Sequence, residues 1–198
     1  MDQPLRWLTN TDGLPVPGGF IIFPTTPEAE IRAAYEELKI RERVHFVAVR
    51  GPTHAVLNVI GPDAVMHALR RFWAESPDAQ VLIQRMVHST WCGKAQRHGT
   101  QLTITANEGM LLLDPDTYVN GAAVLAPRQR KMIRHVDGTA KVIEREGHRE
   151  PMPDGLLAKI TELATKVGSD IGWAVDDLDQ VWLLATKGTK GSFCAFCG

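Results

Sequence analysis

The chain has 198 residues, of which 44% are hydrophobic, and its formal net charge at pH 7 is −1. This length and composition suit one medium domain or two small ones with a real core, and the near-neutral charge argues against a nucleic-acid-binding protein. No apolar run approaches the roughly 18 residues of a membrane-spanning helix, and the start lacks the pattern of a secretory signal, so we expect a cytoplasmic protein without membrane contact.

The first half of the chain predicts strands that alternate with two helices. Thr26 is predicted to cap the first helix and Pro27 to lie in its first turn. The helices are expected from Thr26 to about Ile40 and from Gly61 to about Glu75, and the strands at 20–23, 44–50 and 79–87. Apolar residues recur at helical spacing, namely Ile31, Ala34, Tyr35 and Leu38 in the first helix and Val65, Leu69, Phe72 and Trp73 in the second.

The second half predicts mostly strands and one more helix. Strands are expected at 101–106 and, as an antiparallel set with a turn at Asp137-Gly138, near 122–125, 131–135 and 140–144. The last helix is predicted at 156–167, with the apolar stripe Leu156, Leu157, Ile160, Leu163, Ala164 and Val167.

A hairpin is predicted to close the folded part of the chain. Alternating apolar residues precede and follow an acidic turn, 176–179, and predict two strands with one buried face. Asp176 and Asp177 are expected to be solvated in that turn. The alternating residues are Ile171, Trp173 and Val175 before the turn and Val181, Leu183 and Ala185 after it.

Several of these segments together resemble one family. They are Gly13–Phe20 ("G-x-P-V-P-x-G-F"), Val44–Arg50 ("x-V-A-V-R-S-S-A"), Ala79–Val87 ("V-A-V-x-V-Q-x-M-V"), Asp114–Val119 ("x-P-D-x-Y-x-V") and Asp170–Lys187 ("D-I-E-W-A … L-x-x-L-Q-x-R-P"). The pattern is similar to the nucleotide-binding domain of the phosphoenolpyruvate synthase and pyruvate phosphate dikinase family. The resemblance covers about residues 5–187. It implies an α+β, ATP-grasp-like fold of two lobes with mixed or antiparallel sheets and about three main helices. We therefore predict one domain at 1–187, with sublobes near 1–78 and 79–187.

The chemical residues of the family are the ones that this chain lacks. In the family, the Glu and the Gln of the closing hairpin hold magnesium beside the ATP phosphates, and the Arg reaches the phosphates. Gly172, Ala185 and Lys187 stand at those three positions, and Gly188 replaces the Pro. The upstream Lys that binds phosphate is also missing, and the glycine-containing loop after Arg50 is deleted.

The resemblance still implies a nucleotide cleft for ATP and magnesium. Its candidate residues are Arg50, Glu108, Asp170 and Lys187. The competing interpretation of Arg50 is a strand-end arginine paired with an acid, and that of the aspartates near the hairpin is a solvated turn. We assign no catalytic residue and no metal ligand, because phosphoryl transfer depends strongly on the electrostatic groups that are missing.

Two other groups of residues, a basic strand and a set of histidines, are candidate sites. Arg128, Arg130, Lys131 and Arg134 predict either a solvated strand face or a basic face for an acidic partner. Four of the seven histidines, His88, His98, His135 and His148, show no zinc-ligand spacing with one another or with Cys92.

The last residues, 188–198, predict a flexible cysteine-containing tail. Cys194 and Cys197 form a Cys-x-x-Cys pair, which suits half of a metal site, a redox pair, or a substrate for modification together with Ser192. A terminus without a role is the remaining interpretation. Three cysteines in this arrangement do not make a disulfide framework.

Taken together, the sequence predicts a catalytically degenerate relative of the family. We expect it to act as a recognition or scaffold module that presents the tail, with Ser192, Cys194 and Cys197 as modification candidates, to a partner protein or a tail-modifying enzyme. The alternative is an ATP-binding phosphotransferase subunit that completes its site with a partner.

Overall fold

The structure, a computed structural model, describes residues 4–8, 13–110, 115–126, 128–134, 140–146 and 150–186. For 128–134 and 140–146 only the backbone is described. The predicted turn at Asp137-Gly138 and the tail lie outside the described residues. The chain divides into two units, one built on Pro17–Met86 and the other on the chain from Val87 onward together with Leu14–Val16.

The first unit is a five-stranded antiparallel sheet with two helices. Its strand order is β1-β2-β5-β3-β4. The elements are β1 (Arg6–Trp7), β2 (Gly19–Ile22), α1 (Glu28–Glu42), β3 (Val47–Arg50), β4 (Ala55–Val59), α2 (Pro62–Glu75) and β5 (Val81–Arg85).

Both helices bury the faces that their periodicity predicts. The buried residues of α1 are Ile31, Ala34, Tyr35 and Leu38, and those of α2 include Val65, Leu69 and Phe72. They share one core with the sheet residues Phe20, Ile22, Val47, Val49, Val81 and Ile83. Trp73 is only partly buried, and its indole Nε1 donates a hydrogen bond to the carbonyl of Ala79 at 3.0 Å.

The start of α1 differs from the prediction that Thr26 caps it. Pro27 is the capping position, and no side chain caps the helix by a hydrogen bond. The Thr26 hydroxyl instead accepts a hydrogen bond from the backbone N–H of Phe23 at 3.0 Å. The hydroxyl bonds within the preceding turn because the chain reverses there before the helix begins.

The second unit is a six-stranded antiparallel sheet with one helix and a separate hairpin. Its strand order is β13-β12-β6-β7-β8-β9. The elements are β6 (Trp91–His98), β7 (Gln101–Glu108), β8 (Asp116–Val119), β9 (Ala122–Val124), β10 (Arg128–Arg134), β11 (Ala140–Glu146), α3 (Asp154–Val167), β12 (Ile171–Val175) and β13 (Val181–Thr186). None of the helices in the described ranges is long and apolar enough to cross a membrane.

One face of this sheet forms the core of the second unit. The apolar stripe of α3 is buried, as the helical spacing predicts, through Leu156, Leu157, Ile160, Leu163 and Ala164. The strands contribute Ala95, Ile104, Ala106, Tyr118, Ile171, Trp173, Val175, Val181 and Leu183 to the same core. The hydroxyl oxygen of Tyr118 accepts a hydrogen bond from the N–H of Met152 at 2.6 Å, which ties the segment before α3 to the sheet.

The closing hairpin is present, but its first strand is buried on both faces. All five residues of β12 are buried, whereas the alternation predicts one buried face. Ala174 lies in a second small cluster with Val87, Cys92 and Leu184. The prediction missed the second buried face because β12 is an interior strand between β6 and β13 and not half of an isolated hairpin.

The strand β6 was not predicted at all. Its sequence contains Gly93 and Lys94, which are both poor strand formers. Gly93 is required there by packing, because a Cβ at this position would meet the carbonyl oxygen of Thr105 and the ring of Trp173. The strand therefore depends on its neighbours β7 and β12 rather than on local propensity.

Candidate functional site

The face of the second sheet opposite α3 carries a row of five cross-strand neighbours. Gly172 of β12 pairs with Ala185 of β13 on one side and with Lys94 of β6 on the other. Lys94 pairs in turn with Thr105 of β7, and Thr105 with Thr117 of β8. Alternation places Lys94, Thr105, Thr117 and Gly172 on the face opposite Trp173 and its core neighbours. Ala185 joins them through a register shift between Gly172 and Trp173, where Leu184 is the extra residue of β13. We call this set the Lys94 row.

The row includes the two positions that hold magnesium in the resembled family. Gly172 and Ala185 are direct cross-strand partners, whose Cα atoms lie about 4.5–5.5 Å apart in an antiparallel pair. Side chains at such positions would reach a common ion if they carried oxygen ligands. Glycine and alanine carry none, so these two positions supply no ligand for magnesium.

Lys94 is the charged member of the row and was not singled out from the sequence. Its side chain is half-buried, as are those of Thr105 and Thr117. The Thr105 hydroxyl donates a weak hydrogen bond of 3.5 Å to the carbonyl oxygen of Lys94. In the sequence Lys94 lies between Gly93 and Ala95 and is followed by the polar residues 96–98, and nothing local distinguishes it from a surface lysine.

Arg50 lies at the end of β3 in the first unit. It pairs with Leu82 of β5 and Ala55 of β4, and its side chain is 3% exposed. A buried arginine at a strand end suits either structural pairing or contact with an anion. Its role in nucleotide binding stays a prediction.

Glu108 ends β7 and Asp170 precedes β12, and these two strands lie on either side of β6. Glu108 pairs with Trp91, which also pairs with Val175, whereas Asp170 precedes the pair Ile171–Ala95. The four residue steps from Trp91 to Ala95 correspond to about 13 Å of strand. The two carboxylates therefore do not share a metal ion. One Asp170 carboxylate oxygen, Oδ1, accepts a hydrogen bond from the backbone N–H of Arg97 at 3.0 Å.

The expectation that Asp176 is solvated was wrong. Its side chain is 6% exposed and holds the hairpin turn together. Oδ1 accepts hydrogen bonds from the N–H groups of Leu178 at 3.0 Å and Gln180 at 2.9 Å, and Oδ2 accepts one from the Trp182 indole at 2.8 Å. The neighbouring Asp177 is exposed, as predicted. Composition alone does not separate these two aspartates, because the difference comes from which one the turn directs inward.

The other candidate residues form no metal centre within the described ranges. No three His, Cys, Asp or Glu side chains of that part of the chain group closely enough to hold a metal ion. His135 and His148 lie outside it, as do Lys187, Ser192, Cys194 and Cys197.

The basic strand β10 is paired in register with β11, which contains two acidic and two basic residues. Arg128 lies opposite Glu146, and Arg130 opposite Glu144, in the β10–β11 hairpin. Opposite charges at such cross-strand positions are a common stabilising arrangement and favour the interpretation as a solvated strand face. The alternative, an acidic docking partner, stays a prediction.

No family model matches this chain, and no curated protein matches it. Solved structures of three bacterial enzymes are similar to it over 91% of its length. They are the D-alanine–D-alanine ligase from Bacillus anthracis (TM-score 0.50, 10% identity, 54% of that chain covered), the D-alanine–D-alanine ligase from Coxiella burnetii (0.49, 12%, 45%) and the D-alanyl-alanine synthetase A from Vibrio cholerae (0.48, 15%, 53%).

The chain thus spans about half the length of these ligases. At this level of identity the similarity to the Bacillus anthracis structure concerns the fold alone. It confirms the predicted fold class: the chain is an α+β protein with two main antiparallel sheets, three helices and an ATP-grasp-like fold.

Proposed function

We propose that this chain is a catalytically degenerate relative of the ATP-binding domain of phosphoenolpyruvate synthase, with residues 1–187 as the domain. We further propose that it serves, in the cytoplasm, as a recognition or scaffold module. The observation that carries the proposal is the Gly172–Ala185 pair. The two positions that bind magnesium in the resembled family are neighbours in the sheet, and neither has a ligand atom.

The remaining carboxylates near these strands do not replace the missing ligands. Asp176 uses both carboxylate oxygens to hold the hairpin turn, and Asp170 accepts a bond from the backbone of β6. Magnesium–ATP requires hard oxygen ligands to offset the triphosphate charge. Without them, transfer of a phosphoryl group loses a large part of its electrostatic stabilisation.

The framework around the missing ligands supports a retained binding role. Trp173 and Val175 are fully buried on the opposite face of β12, and the hairpin turn is held by three hydrogen bonds to Asp176. A module that only presents a surface or a tail to a partner requires such a rigid frame and no metal. The tail residues Ser192, Cys194 and Cys197 are the part that we propose it presents.

Turnover of ATP tests the first part of the proposal. The purified chain, incubated with ATP and magnesium, is expected to release no phosphate above the buffer blank. Magnesium-dependent release that is abolished in the Arg50→Ala variant would contradict the proposal, because it would require a working phosphate site.

The intact mass of the protein from its native host tests the second part. We expect a mass change confined to residues 188–198, compared with the same chain expressed alone in a different host. The Ser192→Ala variant and the Cys194→Ala/Cys197→Ala variant assign the change to a residue. An unmodified tail in the native host would remove the substrate role of the tail.

The ATP-grasp-like fold favours a second candidate, an ATP-binding phosphotransferase subunit that completes its site with a partner. In that case Arg50, buried at the end of β3, would contact phosphate. Calorimetric titration of the chain with ATP and magnesium, alone and with proteins co-purified from the host, tests it. Heat of binding that is lost in Arg50→Ala supports this candidate, and the absence of heat in both titrations refutes it.

A further inference from the structure

Asn120 and Gly121 make the turn between β8 and β9, and they are the only Asn-Gly pair of the sequence. Val119 and Ala122 pair across the turn. Both turn residues have positive φ angles, 49° and 87°, as in the tight two-residue turn that Asn-Gly favours. Both are exposed, and within the described ranges the backbone N–H of Gly121 makes no hydrogen bond. The peptide nitrogen after Asn120 is therefore accessible to a reaction.

The reaction open to such a pair is deamidation of the asparagine. The backbone nitrogen of Gly121 forms a bond to Cγ of Asn120, and Nδ2 leaves as ammonia together with the amide proton. The resulting succinimide ring adds water at one of its two carbonyl groups and opens to aspartate or to isoaspartate. Glycine permits the attack because it has no Cβ to hinder the approach. Asn58 and Asn107 precede larger residues, so the same step is hindered there.

Two hydrogen bonds to Leu102, at the start of β7, hold Asn120 in an unreactive conformation. The backbone N–H of Asn120 donates to the carbonyl oxygen of Leu102 at 3.0 Å, and Oδ1 accepts from the N–H of Leu102 at 3.0 Å. The bond to Oδ1 fixes the side chain, and the left-handed turn fixes the backbone. Ring closure requires both to rotate, so the intact turn protects Asn120.

The strand on the far side of the turn is weakly held. β9 lies at the edge of the sheet, and its three residues, 122–124, are all exposed. Val124, the largest of them, is 65% exposed. An edge strand that buries almost no side chain opens at a much smaller cost in free energy than the whole unit. The turn can therefore open while Tyr118 and the rest of the core stay folded.

We propose that Asn120 is a site of spontaneous deamidation whose rate is set by local opening of the turn away from Leu102. The two products differ in their effect on the fold. Aspartate keeps an oxygen where Oδ1 accepts the N–H of Leu102, so the turn is retained. Isoaspartate adds a methylene group to the backbone and changes the side chain, so the turn and the pairing of β9 are lost.

The test is incubation of the full chain at neutral pH, followed by peptide mapping with mass spectrometry. The reference is a synthetic peptide of residues 117–124, which has the same Asn-Gly pair but no β7 beside it. We expect deamidation at Asn120 to be at least about tenfold slower in the chain than in the peptide, because both hydrogen bonds must open first. In urea well below the unfolding midpoint the rate should stay nearly constant, since local opening exposes little surface. Equal rates in chain and peptide, or a rate that rises in parallel with global unfolding, would overturn the proposal.

Two variants of Leu102 test its part in the protection. Leu102→Pro removes the N–H that bonds to Oδ1, whereas Leu102→Ala keeps it, and both lose the same partly buried side chain. The proline variant should deamidate several-fold faster than the alanine variant, and equal rates would refute the role of Leu102. Urea midpoints show whether each variant is folded, and the urea series on the parent chain decides the proposal without them. Mapping also separates Asn120 from the proposed tail modification at 188–198, so each result stands alone.

Discussion

Replacing Asp176 by alanine should destabilise the second unit substantially. The side chain is 6% exposed and accepts three hydrogen bonds, two from backbone N–H groups of the turn and one from the Trp182 indole. A hydrogen bond to a charged group contributes about 1.5–3 kcal/mol, and the backbone donors of an exposed turn recover part of this from water. We expect a total loss of about 3 kcal/mol. With a urea m-value of about 2 kcal/mol/M, the midpoint should fall by about 1.5 M.

Urea denaturation followed by tryptophan fluorescence measures this change, with two further variants for comparison. Asp176→Asn keeps one acceptor but directs an N–H group at the Trp182 indole, so about 1–2 kcal/mol should be lost. Asp177→Ala removes the exposed neighbouring carboxylate and should shift stability by less than about 0.5 kcal/mol. Equal midpoints for the alanine variants of Asp176 and Asp177 would refute the assignment of Asp176 as the residue that holds the turn.

Three other predictions concern the same unit. Gly93→Ala should destabilise it by about 3 kcal/mol or more in the same urea assay, because the new methyl group meets a backbone carbonyl of β7. The control is Gly155→Ala in α3, which should be neutral or slightly stabilising because nothing lies within 4 Å of the new methyl group. Tyr118→Phe should cost about 1–3 kcal/mol, because it leaves a buried N–H group without its acceptor; an unchanged midpoint would contradict the structure. The double variant Gly172→Glu/Ala185→Gln should gain magnesium binding, detectable by calorimetry, that neither the parent chain nor either single variant shows at the same concentration.

The helices and their buried faces could be predicted from the sequence because their pattern is local. Apolar residues at helical spacing recur within each segment, and a Pro stands at the start of each, at Pro27, Pro62 and Pro153. Burial then follows from the pattern whatever lies opposite the helix. The capping contacts at the helix ends could not be predicted from this pattern. The Thr26 hydroxyl, for example, accepts a hydrogen bond from the preceding turn and not from the helix.

The strand β6 could not be predicted because its residues suit their neighbours and not a strand in isolation. Gly93 is small because Trp173 and a carbonyl of β7 occupy the space beside it. Lys94, next to it, interrupts any apolar alternation. Only the register with β7 and β12 shows that both residues belong to an interior strand.

The same argument applies to the candidate site. Lys94, Thr105, Thr117, Gly172 and Ala185 are spread over more than ninety residues of sequence and meet only through the strand order. None of the five carries a local signal of a site. Resemblance to a family drew attention to Gly172 and Ala185 but not to Lys94.

The alternation of faces explains how the scaffold of such a domain would survive a loss of its chemistry. On β12, Ile171, Trp173 and Val175 face the core with α3, whereas Gly172 lies on the opposite face with the Lys94 row. A change from an acidic residue to glycine on that face removes a ligand without opening a cavity in the core, and it also relieves the cost of holding a carboxylate in a partly buried position. Folding then depends on Ile171, Trp173 and Val175 in the core and on Ala174 in the second cluster, whereas Gly172 contributes no side chain to either cluster. The residues by which the chain resembles an ATP-binding family are therefore expected to outlast those that would let it use ATP.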